Sequence, residues 1–453
     1  NLGSGKTAVS IDSDSESSHV CAILNDYSLK CWGLGSQGQL GLGNSTSLSS
    51  PSATAVDLGT GLTAMDVAVG GYHTCAIVSD GTVKCWGVNV SGELGYGDTT
   101  WRGSNAGEMG SNLGAVDIGG DNTAISIDAG SEATCVVRSD AKTLCWGSNN
   151  MGALGSSSNT SLKIGDGPNE MGSNLAVTVS TNTVSLSVGA YSACAVSETA
   201  TLSCWGYNGN TQLGTDSSAN PVTTPTTSAL DARFSGTLYV QQIAAGSVFA
   251  CALFSGGTVR CWGIGTDGRR GSGDNNSLGS NAGEMQNIQD INFGAGKYAI
   301  AISLDLYGGC ALMGDRSVIF WGYNGAGSLG QGDTTSRSTP VAVDVGTGLK
   351  VLSIQANGAT TCVVLTDHQA KCWGSNAAGR LGIGDTQSRG DNAGEMGDAL
   401  PFVRQTSGTP WRVRQISPGS GMHTCAIDTK GIAFCWGYNS YGENGQDSNS
   451  STN

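Results

Sequence analysis

Cys75-Ala-Ile-Val-Ser-Asp-Gly-Thr-Val-Lys-Cys85-Trp86-Gly87 decides the fold, because this thirteen-residue figure returns eight times in a chain of 453 residues. The first cysteines are Cys21, Cys75, Cys135, Cys194, Cys251, Cys310, Cys362 and Cys425. Ten residues on stand Cys31, Cys85, Cys145, Cys204, Cys261, Cys372 and Cys435, with Phe320 in the sixth copy. Trp-Gly follows every time, at Trp32, Trp86, Trp146, Trp205, Trp262, Trp321, Trp373 and Trp436. Steps of 52 to 63 residues between these tryptophans define a repeat protein.

Each first cysteine is followed by Ala or Val and then by Ile, Val or Leu, as in Ala22-Ile23 and Val363-Val364. A short segment apolar on both faces reads as a strand buried on both sides. Turn formers such as Asn25-Asp26, Asp80-Gly81 and Gly256-Gly257 sit midway between the cysteines and mark a hairpin tip.

Two cysteines ten apart therefore lie opposite each other across an odd-numbered tip. Directly opposed Cβ atoms stand about 4.5–5.5 Å apart, near what a disulfide asks. Two readings follow: seven hairpin disulfides, or buried thiols lining a core. Under the first, the 15 cysteines resolve as seven pairs plus Cys310. Cys310 is then expected to be a buried free thiol, an intermolecular bond being the alternative. Closing an eleven-residue loop contributes at most about 3 kcal/mol.

Recurrence over the whole length argues for a single domain, residues 1–453. Its repeats run approximately over 1–54, 55–114, 115–174, 175–229, 230–287, 288–341, 342–403 and 404–453. The 71 glycines and 6% aromatics describe a turn-rich all-β protein, and no apolar run reaches 18 residues, so no membrane span is expected. With 22 basic against 36 acidic residues the net charge is −14, which disfavours nucleic acid and anionic lipid as partners. The chain starts at Asn1 with no initiator Met or leader and reads as a mature form or a segment of something longer.

Disulfides at this density point to an oxidising compartment, hence a secreted or cell-surface protein. Five sequons agree: Asn44, Asn89, Asn159, Asn275 and Asn449 are N-glycosylation candidates. The run Gly3-Ser-Gly-Lys-Thr7 resembles a phosphate loop only superficially, because it matches the lead-in of later repeats such as the stretch from Val56 to Val67.

Nine residues past each Trp stands a glycine: Gly41, Gly95, Gly155, Gly214, Gly271, Gly330, Gly382 and Gly445. Such a column asks for a positive φ or a close backbone approach. The pattern from Gly70 to Asp98, Gly-x-x-His-Thr-Cys-Ala-Ile with Gly-Thr-Val-Lys-Cys-Trp-Gly and Gly-Glu-Leu-Gly-Tyr-Gly-Asp, resembles the regulator-of-chromosome-condensation (RCC1) repeat. The likeness covers essentially the whole chain. It implies a β-propeller of four-stranded blades, here with eight repeats where the usual ring has seven.

Four linkers add a block ending in Glu-Met, at Asn105, Asn169, Asn281 and Asp391, similar to blocks in secreted or surface microbial members of the family. The first repeat opens with a lead-in segment and the last ends without one, so the two ends are expected to close the ring, an open spiral being the alternative.

Chemistry is sparse. His19, His73 and His423 share a column two before the cysteine, and His368 sits in a hairpin tip; columns build scaffold. Asp98, Asp274, Asp333 and Asp385 form another column and read as loop locks. No hydrolase or metal motif appears and no cofactor is expected. Individuality lies in what the repeats do not share: Trp101, Arg102, Arg269, Arg270, Trp411, Arg412, Arg414 and Tyr441 are the interface candidates, or simply fill longer loops.

The leading expectation is a non-catalytic extracellular scaffold, such as a subunit of a coat, appendage or filament, with a protein partner or itself as partner. The alternatives are a secreted binder (a lectin or an enzyme inhibitor) and a guanine-nucleotide exchange module.

Overall fold

The computed structural model describes residues 2–3, 5–13, 17–156, 161–180, 182–189, 191–199, 201–227, 240–245, 248–305, 307–357, 359–404, 410–419 and 422–439. Within these the regular elements are antiparallel strands and three-residue 3-10 turns, grouped into eight sheets, one per repeat. None of the helical turns is long and apolar enough to cross a membrane.

The second repeat shows the unit. A lead-in strand Ala64–Val69 pairs with the cysteine strand His73–Val78, which pairs with the Cys-Trp strand Val83–Gly87. Every lead-in strand slips register by one residue after its first pair. The hairpin tip is a three-residue loop whose last residue is left-handed, at Tyr27, Gly81, Ala141, Gly257, Arg316, His368 and Gly431. That geometry, a turn closed by an αL residue, sets direct cross-strand register.

Opposed in this register are Cys21 and Cys31, Cys75 and Cys85, and their counterparts in the other five repeats, with Cα atoms 4.0–4.1 Å apart. Each pair is disulfide-bonded. In the sixth sheet Cys310 faces Phe320 and is a buried free thiol; its Sγ donates to Ser303 O at 3.2 Å. Burial pushes this thiol up, far from ionisation at neutral pH.

Blades of four strands were the expectation, and the sheets hold three to five. The fourth strand is continuous in the fourth and sixth repeats, at Val222–Thr227 and Arg337–Val343. Isolated bridges take its place in the first repeat, Gly33 with Leu48, and where a Glu-Met block interrupts the outer segment: Gly87 with Arg102 in the second, Gly263 with Leu278 in the fifth, and both Gly374 with Arg389 and Lys371 with Phe402 in the seventh. The third repeat straddles its block with two short strands, Lys163–Ile164 and Val177–Val179, both on the Cys-Trp strand.

By contacts the chain forms two compact units. Among the described residues one comprises residues up to Asn208 with Ala219–Thr227, and the other Gly209–Ser218 with the rest through Asn439. Within each unit neighbouring sheets stack face to face. Alternate residues of one hairpin enter different cores: Ala76, Val78 and Trp86 pack with Cys21 and Ile23 of the first sheet, whereas Cys75, Ile77 and Cys85 pack with Ile127 and Trp146 of the third. The doubly apolar reading of these strands has this cause.

Neighbours are also fastened by a recurring polar bond. The Trp indole N–H donates to the backbone carbonyl seven residues past the preceding repeat's Trp: Trp86 to Gln39, Trp146 to Glu93, Trp205 to Ala153, Trp262 to Gln212, Trp321 to Arg269, Trp373 to Ser328 and Trp436 to Arg380, all at 2.8–3.0 Å. Two residues beyond that carbonyl lies the column glycine, left-handed in all seven described copies with φ between 60 and 73°. A Cβ on Gly95 would stand 2.7 Å from Trp146 Nε1.

Gly95→Ala should therefore lower stability by about 2–4 kcal/mol, combining the left-handed penalty with displacement of a packed indole. Urea unfolding monitored by tryptophan fluorescence reads it, and a loss under about 0.5 kcal/mol would contradict the lock.

Candidate functional site

The histidine column is part of the sheet-to-sheet lock. His19 Nε2 lies 2.8 Å from Thr74 Oγ1, and His73 Nε2 lies 2.9 Å from Thr134 Oγ1. Each threonine spends its one proton on the carbonyl that already accepts the indole, Gln39 O and Glu93 O, both at 2.9 Å. The imidazoles must then donate from Nε2. Burial holds His73 down at about 4; burial and the neighbouring His73 hold His19 down at about 3.

The aspartate column locks the loop that follows Trp-Gly. Asp98, Asp274, Asp333 and Asp385 each accept the backbone N–H two residues on at 2.9 Å. Each also pairs with an arginine four positions away: Arg102, Arg270, Arg337 and Arg389. Two interface candidates, Arg102 and Arg270, are engaged within their own loops by this geometry. Arg102 folds back on Asp98 and lies 4.1 Å over the Tyr96 ring. Arg270 is 3% exposed, its Nε donating to Asn276 O at 2.6 Å.

An asparagine three past Trp completes the loop, and it escaped the sequence reading. Asn89 Oδ1 accepts Leu94 N at 3.0 Å while its Nδ2 donates to Asp98 O at 2.6 Å; Asn324 and Asn376 repeat both bonds. Three of eight copies carry this Asn together with the column Asp nine residues later, a spacing legible in the sequence. The sequon at Asn89 is corrected accordingly: its side chain is 0% exposed with both amide atoms bonded. Asn44 and Asn275 are exposed, and Asn159 and Asn449 lie outside the described residues.

The Glu-Met blocks are loop caps. The Glu284 carboxylate accepts Gly279, Ser280 and Asn281 N–H at 2.8–3.0 Å. Burial raises it, but the Asn281 amide and these backbone donors prevail and bring it down to about 2. Glu108, Glu170 and Glu395 repeat the bonding.

The other candidates are scattered. Trp101 is 38% exposed. Trp411 is partly buried and packs on Phe434 and Trp436, with ring centroids 4.7 and 5.3 Å away, against the core of the seventh and eighth sheets. Arg412 is exposed and donates to Asp367 O, Arg414 is exposed on the lead-in strand Val413–Pro418, and Tyr441 lies outside the described residues. Arg269 lies over the Tyr307 ring. Six exposed apolar residues sit at the register slips, Val9, Met65, Ile125, Val184, Ile300 and Leu352, a column that the sequence reading also passed over. Among the described residues no three His, Cys, Asp or Glu side chains gather as a metal ion requires.

The repeat family described as regulator of chromosome condensation (RCC1) repeat matches residues 66–93, 240–269 and 413–443, and a second description of the same repeat matches 31–77. The chain carries RCC1 repeats. It is similar to the ultraviolet-B receptor UVR8 of Arabidopsis thaliana, 28% identical over 45% of this chain and 42% of the receptor. It is also similar to the mitochondrial RCC1 domain-containing protein RUG3 of the same plant, 30% identical over 44% and 43%. The chain spans less than half the length of these curated relatives.

Among solved structures, human WBSCR16 superposes with a TM-score of 0.60 at 17% identity, covering 86% of this chain and 96% of that one. Prp20p from Saccharomyces cerevisiae, described with its binding to Gsp1p and histones, gives 0.55 at 18% identity, covering 86% and 89%. At such identity the likeness speaks for the fold alone, the RCC1-type β-propeller.

Two outcomes follow for this RCC1-repeat chain. Below pH 6.5 the unfolded histidines take up protons that folded His19 and His73 refuse, so their contribution to stability falls with pH down to about 4, on the order of 1.4 kcal/mol per unit for each. His73→Gln should flatten the slope of urea midpoint against pH in this window. The difference from wild type separates the imidazole from Asp305, which burial raises to about 6 and which acts in the opposite sense. Expressed through a secretory pathway, the chain should carry glycan at Asn44 and Asn275 with Asn89 bare; glycopeptide mass mapping that finds Asn89 occupied would refute the buried lock.

Proposed function

We propose that this chain is a non-catalytic interaction scaffold working outside the cell or at its surface, as a subunit of a coat, appendage or filament, with a protein or a second copy of itself as partner. One observation carries the reading: seven repeats staple a buried hairpin with a disulfide that a reducing compartment would not maintain. The columns are spent on the scaffold, so recognition falls to the unshared loops, with Asn44 and Asn275 as glycan-bearing positions. A secreted single-partner binder is the second reading, favoured by an exposed tyrosine pair in the sixth repeat.

The same proposal takes residues 1–453 as one domain of eight blades with its ring closed by the two ends. Its support is Trp32, 1% exposed, whose indole N–H has no acceptor among the described residues. The seven other column indoles each take a carbonyl seven past the preceding Trp. Counting from Trp436, that position is Glu443 and the column glycine is Gly445. Both lie outside the described residues.

Two measurements test this. Alkylation of the native protein without reductant should leave fourteen cysteines protected by disulfides, and peptide mapping that recovered most of them as free thiols would remove the extracellular assignment. Gly445→Ala should lower the urea midpoint about as much as Gly95→Ala does; no loss would mean that Trp32 is not covered by the chain's own last repeat.

A further inference from the structure

Where most columns hold, departures stand out, and several fall together at the junction of the fifth and sixth repeats. Seven past Trp, the side chains of Gln39, Glu93 and Gln212 turn an oxygen back onto the N–H two residues earlier, at 2.6–3.0 Å. Arg269 holds this position in the fifth repeat, as Arg380 does in the seventh, and a guanidinium has only donors. Arg269 cannot close the loop and reaches across it instead. Its Cζ lies 5.1 Å from the centre of the Tyr307 ring and its Nη2 3.4 Å from Asp267 Oδ2, while its buried Nε meets no acceptor among the described residues.

The sixth sheet is altered to match. Tyr323 meets Tyr307 edge-on, 5.5 Å between centroids, and the rings remain 39% and 41% exposed. Behind them Asp305 stands five before the cysteine, where Gly70, Gly130 and Gly189 stand in other repeats. A Cβ at Gly70 would strike the His73 ring; Asp305 has room because Gly308 holds the histidine column. Its carboxylate accepts the N–H of Tyr307 at 2.7 Å and that of Gly308. A small cavity lined by Asp305, Gly308, Gly309 and Thr361 adjoins it.

We propose that Tyr307, Tyr323, Arg269 and Asp267 form a binding subsite for a neutral saccharide. An exposed tyrosine ring presents a flat apolar face with negative π density, which suits the C–H face of a pyranose. The guanidinium and the Asp267 carboxylate beside it supply paired donors and acceptors for neighbouring hydroxyls. Asp267 and Asp305 offset the charge of Arg269 in a chain of net charge −14, so the cluster lacks the positive excess that an anionic ligand would need. The subsite rests on the secreted-binder reading and names its ligand class.

The test titrates the intact chain with maltohexaose, cellohexaose, chitohexaose, mannohexaose and galactohexaose, using calorimetry and saturation-transfer NMR. At least one should bind with a millimolar or tighter Kd. Tyr307→Ala and Tyr323→Ala should each weaken it tenfold or more with the urea midpoint unchanged, and Trp101→Ala should leave it unaltered. No binding to any of the five, or equal binding by both tyrosine variants, overturns the proposal. Loss of a protein partner in Tyr307→Ala without sugar binding by wild type overturns it too and gives the patch to protein recognition. The thiol map reads the secreted-binder premise separately.

Discussion

An indole N–H pointed at one backbone carbonyl of the preceding repeat is the interaction on which the rest depends. The carbonyl lies at a fixed distance in sequence from its own Trp, so each of the first seven repeats offers its neighbour the same acceptor. A glycine two residues on must be left-handed and bare for the indole to reach it. In the second and third sheets a threonine and a histidine extend the contact to the same oxygen. An indole sealed at a sheet interface without that acceptor forfeits about 1–3 kcal/mol.

Because these contacts join only neighbours, stability is distributed along the chain as in other repeat arrays. The disulfide of one sheet and the Trp of the next share a core, so covalent and noncovalent fastening meet at each interface. The sixth sheet lacks the covalent part, and there Phe320 packs edge-on against Trp373 at 5.5 Å. An aromatic contact takes the place of a sulfur bridge, and Cys310 is left with a carbonyl for company.

Hairpins, strand burial, cysteine register and the glycine column were all legible in the sequence because each is a local consequence of spacing repeated eight times. The outer strand was legible only in part: it is continuous in the fourth and sixth repeats but reduced to isolated bridges in the first, which has no Glu-Met block, as in the second, fifth and seventh, where the block's carboxylate gathers backbone N–H groups into a loop of its own. Two of the interface candidates are engaged within their own loops for a related reason. Arg102 and Arg270 look individual because their aspartate partner lies four residues before one and four after the other, which hides a shared lock. Asn89 reads as a sequon in three letters, but its amide belongs to a bond pattern spread over nine residues. What spacing could not foresee is the pairing of Arg269 with Tyr307, because no column brings an arginine of one loop over a ring on the next sheet.

The lock spans the stretch from each cysteine strand through the loop glycine, His73 to Gly95 in the second repeat, and the outer segment beyond it supplies no acceptor to a neighbouring indole among the described residues. Repeat length varies there by up to eleven residues without disturbing a single Trp contact among the described residues. Natural drift and the protein engineer meet the same permissive ground: foreign peptide spliced into the exposed part of that stretch, with buried positions such as Val56 and Val116 kept, would be displayed from a frame whose indole bonds lie elsewhere.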